Sequence, residues 1–168
     1  MGMSLGTAQD GATRVAAVPD VKELIRRHCL REELSTPDPY DRWCTRLGLG
    51  VKGFYFRHRW AGLAPAAAFG AADVCLDGVL PAGRREYPIV RAFAAQCLLN
   101  LYEQDADGEL LAAARRHLDW LLEHRCTGWS GPCWGLGFPN VISDTLRYDG
   151  TVPYSTMTPY ALEAFVRY

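Results

Sequence analysis

Apolar residues recur at helical spacing in two neighbouring stretches of the chain, and they define its clearest unit. From Pro88 onward, Ile89, Phe93, Cys97 and Leu101 fall at i, i+4, i+8 and i+12, and Val90, Ala94 and Leu98 widen that face. Only a stripe of Gln96, Asn100 and Glu103 stays polar. A helix that is apolar over most of its circumference is nearly surrounded by protein. After an Asp105-Ala106-Asp107-Gly108 turn, residues from about Glu109 to His124 place Leu111, Ala114, Leu118, Leu121 and Leu122 on one side and Arg115, Arg116, Asp119 and Glu123 on the other. That second helix is covered on one face only. A short turn joining the two predicts an antiparallel hairpin with an inner and an outer member, each about 25 Å long.

The remaining elements read less sharply. Asp20 caps a predicted helix to about Glu33 with Val21, Leu24, Ile25 and His28 on one face. Pro37 and Pro39 break the chain before a short helix from about Tyr40 to Leu47, which Gly48 and Gly50 are expected to end. Residues Val51 to Trp60 fit either a short strand or an irregular aromatic loop. Pro65, at a first helical position, opens a helix of small residues through Leu76. Asp77 to Tyr87, with Gly78, Pro81 and Gly83, reads as a loop. A much longer loop, Arg125 to Met157, carries ten Gly, Pro and Trp positions from Gly128 to Pro153. Loops above about 12 to 15 residues in a compact domain are functional or disordered, and the aromatic content here argues for function. Thr158-Pro159 then starts a last helix. It runs to Tyr168 with no ordinary stop signal, so the chain is expected to be the front part of a larger helical architecture.

Composition narrows the classes. The 168 residues carry 18 basic and 19 acidic side chains, a net charge of -1, which leaves no electrostatic footprint for nucleic acid. No apolar stretch is long enough to span a bilayer, and no secretory h-region is visible, so the expectation is a cytoplasmic protein without a membrane partner. Residues 1–18 are small and polar and read as a disordered leader to a domain over 19–168. The six cysteines lack the spacing of a disulfide scaffold and read as reduced, buried hydrophobes. A zinc site on His124, Cys126 and Cys133 would lack a fourth ligand, and no metal or cofactor is expected.

The run Gly128-Trp129-Ser130-Gly131-Pro132-Cys133-Trp134-Gly135-Leu136-Gly137-Phe138-Pro139, followed by Val152-Pro153-Tyr154-Ser155-Thr156-Met157-Thr158-Pro159 at a helix entry, resembles the Trp-Gly-x-x-Phe loop of the six-hairpin glycosidase-like proteins. The resemblance implies an all-α fold, a partial (α/α) toroid of helical hairpins with long Gly/Trp-rich loops. It implies a carbohydrate-active or carbohydrate-binding role in polysaccharide or glycan metabolism, with an oligosaccharide as partner. If the complete parent is an enzyme, it would be glycoside hydrolase-like, and this N-terminal portion is expected to be inactive alone. A full ring needs about twice the helices counted here, so self-association through an incomplete ring is a further expectation.

Glycoside chemistry needs two carboxylates flanking the bond. The long loop offers Asp144 and Asp149 as weak catalytic candidates, although both also suit turns. Trp129, Trp134, Phe138 and Tyr154 are the candidate substrate-binding residues, because their rings can stack on apolar sugar faces or plug the mouth of the toroid. Arg57-His58-Arg59 reads as a solvated turn, and His117 and His124 as surface or packing residues. Two alternatives stand beside the glycan reading. One is a prenyltransferase, terpene-cyclase or lanthionine-cyclase type of toroid, which would want an Asp-rich or Cys-His-Gly zinc segment that the sequence lacks. The other is a non-catalytic helical fragment. No phosphate-binding loop or nucleophile elbow is present.

Overall fold

The computed structural model of the protein describes residues 20–37, 41–75 and 83–168. The expected leader over residues 1–18 and most of the first predicted loop, from Asp77, lie outside them. Among the described residues the chain is all-α: helices α1 (Val21–Cys29), α2 (Arg46–Arg57), α3 (Arg59–Cys75), α4 (Pro88–Asp105), α5 (Gly108–Glu123) and α6 (Met157–Arg167), with a short 3-10 turn before α2. Two minimal antiparallel pairings add to them. β1 (Thr36–Pro37) pairs with β2 (Arg84–Arg85), and β3 (Asn140–Val141) pairs with β4 (Arg147–Tyr148) inside the long loop.

The α4–α5 hairpin is the organising unit, as the apolar spacing predicts. Pro88 occupies the first turn of α4, Ala106 turns the chain in the left-handed region at φ 51°, and Asp107 caps α5 by accepting from the Glu109 N–H at 3.0 Å. α4 is enclosed: α5 packs on one side, α6 on another and α1 on a third. One core forms where Ala92 and Ala95 meet Leu118, Leu121, Trp134, Ala161 and Ala164. A second, at the turn end, joins Leu98, Leu101, Leu110 and Ala114 to Ile25 and Cys29 of α1. The buried stripe of α4 is rotated from the one expected. α6 covers Gln96, whose amide donates to the Tyr160 carbonyl at 2.8 Å, and Phe93 is left on the surface against Tyr160. α1 is shorter than predicted; of its expected apolar face Ile25 packs on the core, while Val21 and Leu24 are exposed. Lys22 and Arg26 fasten it to the hairpin turn through Asp105 and Asp107 at 2.8–3.1 Å.

The segment between Tyr40 and Leu76 departs most from expectation. Gly48 and Gly50 do not stop a helix; both lie inside α2, which continues through the stretch left open between strand and loop. Gly48 is needed there for closeness, since a Cβ at that position would collide with the backbone of Arg42 and Trp43. The helix breaks instead at His58 (φ -132°, ψ 68°), and α3 packs back on α2. Pro65 therefore falls inside α3 rather than at its start, where it removes the bond its N–H would make to residue 61. α2 docks on the long loop through β3: Lys52 Nζ donates to Asn140 Oδ1 at 3.1 Å. The outer face of this pair leaves Trp60 93% exposed, with Leu63 beside it. No helix among the described residues is long and apolar enough to cross a membrane.

Candidate functional site

The loop between α5 and α6 folds over the open end of the hairpin, and one side chain anchors it. Trp134 is 0% exposed, and its indole Nε1 donates to the Leu121 carbonyl at 2.7 Å. That carbonyl belongs to the last turn of α5, whose acceptors have no partner within the helix. The backbone on either side is stitched as well. Cys126 N–H donates to the Cys133 carbonyl at 2.9 Å, Tyr154 N–H to the Trp134 carbonyl at 2.9 Å, and Trp134 N–H to Thr158 Oγ1 at 3.1 Å. Thr158, expected to cap α6, is thus inside its first turn and holds the loop instead.

Glycines let the loop double back on itself. A Cβ on Gly135 would stand 2.5 Å from the Val152 carbonyl oxygen and 2.6 Å from that of Gly150, so only glycine fits between these strands of chain. Gly150 has φ 92°, in the left-handed region that favours glycine. Asp149 precedes it, and its Oδ1 accepts from both the N–H and the hydroxyl of Thr151 at 2.8 Å. Those bonds hold the Asp149 carboxyl below the usual carboxylate range.

The result is a cavity of about 320 Å³. Glu86 and Pro88 enter it from the start of α4, Trp120 and His124 from the end of α5, Phe138 and Pro139 from the Gly-rich run, and Asp149 from its turn. His124 stacks on Trp120 with ring centroids 3.8 Å apart, and the Arg91 guanidinium lies 5.0 Å from the same ring. A stacked imidazole fills one face of the indole, so the guanidinium takes the other. Phe138 meets Tyr87 edge-on at 5.7 Å.

A buried polar cluster backs this wall. Arg91, 4% exposed, donates to Glu86 Oε1 and, at 2.8 Å, to His117 Nδ1; Glu86 Oε1 also accepts from the Leu34 N–H at 2.7 Å. Arginine is always a donor, so His117 Nδ1 accepts and its Nε2 carries the proton, donated to the Cys29 carbonyl at 2.7 Å. The ring is held neutral. Burial foremost, with the positive charges of Arg91 and Arg116, keeps its pKa below 6.5 against the opposing pull of the Cys29 carbonyl and Glu86. The unfolded chain takes up this proton near pH 6.5 and the folded one does not, so stability falls as pH drops from there toward the folded value. Urea unfolding at pH 7.5 and 5.0 should show that loss in the wild type and a smaller one in His117→Gln; equal losses would contradict the neutral assignment.

Of the expected site residues, Phe138 and Asp149 line the cavity. Trp129 is 59% exposed on a neighbouring hollow, Trp134 is in the core with no face open to a ligand, and Tyr154 packs edge-on against Tyr148. Asp144 sits exposed in the β3–β4 turn and does not join Asp149 in the cavity lining. Glu86, Trp120 and Arg91 were not marked by the sequence. The i, i+4 spacing of Trp120 and His124 at the end of a helix entering the long loop is the one signal that points there. Among the described residues no group of three or more His, Cys, Asp or Glu is placed to hold a metal. Compared with protein-family models, with curated proteins and with solved structures, the chain matches none.

Proposed function

We propose that the protein binds an oligosaccharide or glycan in this cavity, as part of an α/α toroid to which the α4–α5 hairpin and α6 contribute. The carrying observation is the composition of the cavity wall: the Phe138 ring and two prolines stand beside the Asp149 carboxylate and the His124 imidazole. Apolar ring faces suit the C–H face of a sugar, and carboxylate acceptors suit its hydroxyls. About 320 Å³ lies at the small end of ligand pockets, which fits one or two sugar rings.

Binding is favoured over hydrolysis by the state of the carboxylates. A glycosidase needs one carboxyl kept protonated by a raised pKa. Asp149 is shifted the other way by Thr151, and Glu86 is ion-paired with Arg91. Both serve as acceptors. Calorimetric titration with a panel of neutral oligosaccharides tests the reading. Phe138→Ala should weaken the best ligand by about 2- to 12-fold, the range of an aromatic contact worth 0.5–1.5 kcal/mol. Heat of binding from no member of the panel, or an affinity indifferent to Phe138, would sink it.

A further inference from the structure

The long loop contains a smaller one, closed at its neck by two cysteines. Cys126 and Cys133 are both free thiols, the first buried and the second half-buried. The backbone bond from Cys126 N–H to the Cys133 carbonyl is 2.9 Å. With standard backbone bond lengths, one such N–H···O=C bond brings the two Cα atoms to about 5–6 Å, within the roughly 4.4–6.8 Å that a disulfide spans. The two thiols are also close enough to interact, since Cys133 adds to burial in raising the Cys126 pKa. Between them lie Thr127–Pro132, with Gly128 at φ 84°. Cys126 and Thr127 line the candidate cavity, and they share with Trp129 and Pro132 a second hollow of about 440 Å³.

We propose that Cys126 and Cys133 are a redox-active dithiol that closes reversibly to an intramolecular disulfide, locking the Thr127–Pro132 loop at the rim of the cavity. Position sets the order of events. The more accessible Cys133 thiolate attacks a low-molecular-weight disulfide such as oxidised glutathione, forming a mixed disulfide and expelling one glutathione thiolate. Cys126 then attacks the Cys133 sulfur and expels the second. Two protein thiols are oxidised, one glutathione disulfide is reduced to two thiols, and the two cysteine protons pass to the leaving thiolates. Burial pushes the Cys126 thiol up, which suits a resolving rather than an attacking group. Cys29, the other cysteine with a cysteine neighbour, is pushed up to about 11 by burial and is a poor competitor.

The full chain is equilibrated across ratios of oxidised to reduced glutathione, alkylated under denaturing conditions and digested with trypsin. Both cysteines fall in one fragment, between Arg125 and Arg147. As oxidation increases, that fragment should become about 2 Da lighter than its reduced form. Cys29, Cys44, Cys75 and Cys97 should enter no protein disulfide, although the exposed Cys75 takes up glutathione as a mixed disulfide. Tm should rise by about 5–10 °C, as expected for a bridge over so short a loop. Cys126→Ser should accumulate a glutathione adduct on Cys133, and Cys133→Ser should leave Cys126 unmodified. A fragment carrying two alkyl groups, or two glutathiones, at every ratio would overturn the proposal. So would bridging of Cys126 or Cys133 to any of the other four.

Discussion

Replacing Trp134 with alanine is expected to cost about 3–5 kcal/mol of stability, the range for deleting a fully buried aromatic side chain, and to lower Tm by roughly 10–15 °C. The ring is in contact with α4, α5 and α6 residues of one core cluster, so its loss opens a cavity where three helices meet. It also strips the Leu121 carbonyl of its donor. Trp134→Phe separates the two effects in large part, since it keeps most of the volume and loses the hydrogen bond, worth about 1 kcal/mol, with a smaller cavity cost. Urea unfolding of both variants gives the comparison. A Trp134→Ala protein within 1 kcal/mol of the wild type would mean that the long loop is not anchored as described.

The second large effect is expected at Arg91. Arg91→Met keeps a long apolar stem but leaves Glu86 without its ion-pair partner and His117 Nδ1 without a donor. Removing one member of a buried charged cluster costs about 3–5 kcal/mol, and unfolding curves should show a loss of that order near pH 7. A second readout is specific to the cluster. With the guanidinium gone, one of the groups that depress His117 is gone too, so the His117 ring resonances in an NMR titration should move to a higher midpoint than in the wild type. An unchanged midpoint would mean that Arg91 supports the fold by packing on Trp120 alone.

These two residues mark the divide between what could be read from the sequence and what could not. The α4–α5 hairpin was legible because local signals agreed: apolar spacing of 3.6, Pro88 in a first turn and an Asp-x-Asp-Gly turn with a capping side chain. Trp134 was visible as a loop aromatic, but its burial depends on α5 and α6 closing over it. The stops assigned to Gly48 and Gly50 failed because those glycines answer to steric closeness with the preceding turn rather than to chain reversal. The start assigned to Pro65 failed because the break at His58 had already set the helix six residues earlier. The Glu86–Arg91–His117 cluster joins positions 26 and 31 residues apart across two helices, and no local pattern reports such a meeting. Asp144 and Asp149 looked equivalent in the sequence. Only the Thr151 bonds and the glycine after Asp149 bring one of them to the cavity and leave the other at a hairpin tip.

The fold and the proposed function meet at the wall formed by Trp120, His124 and Phe138, and the five tryptophans supply a direct probe of it. In a ¹H–¹⁵N spectrum each indole N–H gives its own signal. Titrating the protein with the tightest oligosaccharide of the panel should shift the Trp120 indole signal saturably. Trp60, on the exposed outer face of the α2–α3 pair, should not move, and neither should the buried Trp134. A saturable shift at Trp60 with Trp120 unmoved would place the glycan elsewhere, and no shift at any indole would contradict a glycan-binding cavity at the end of this hairpin.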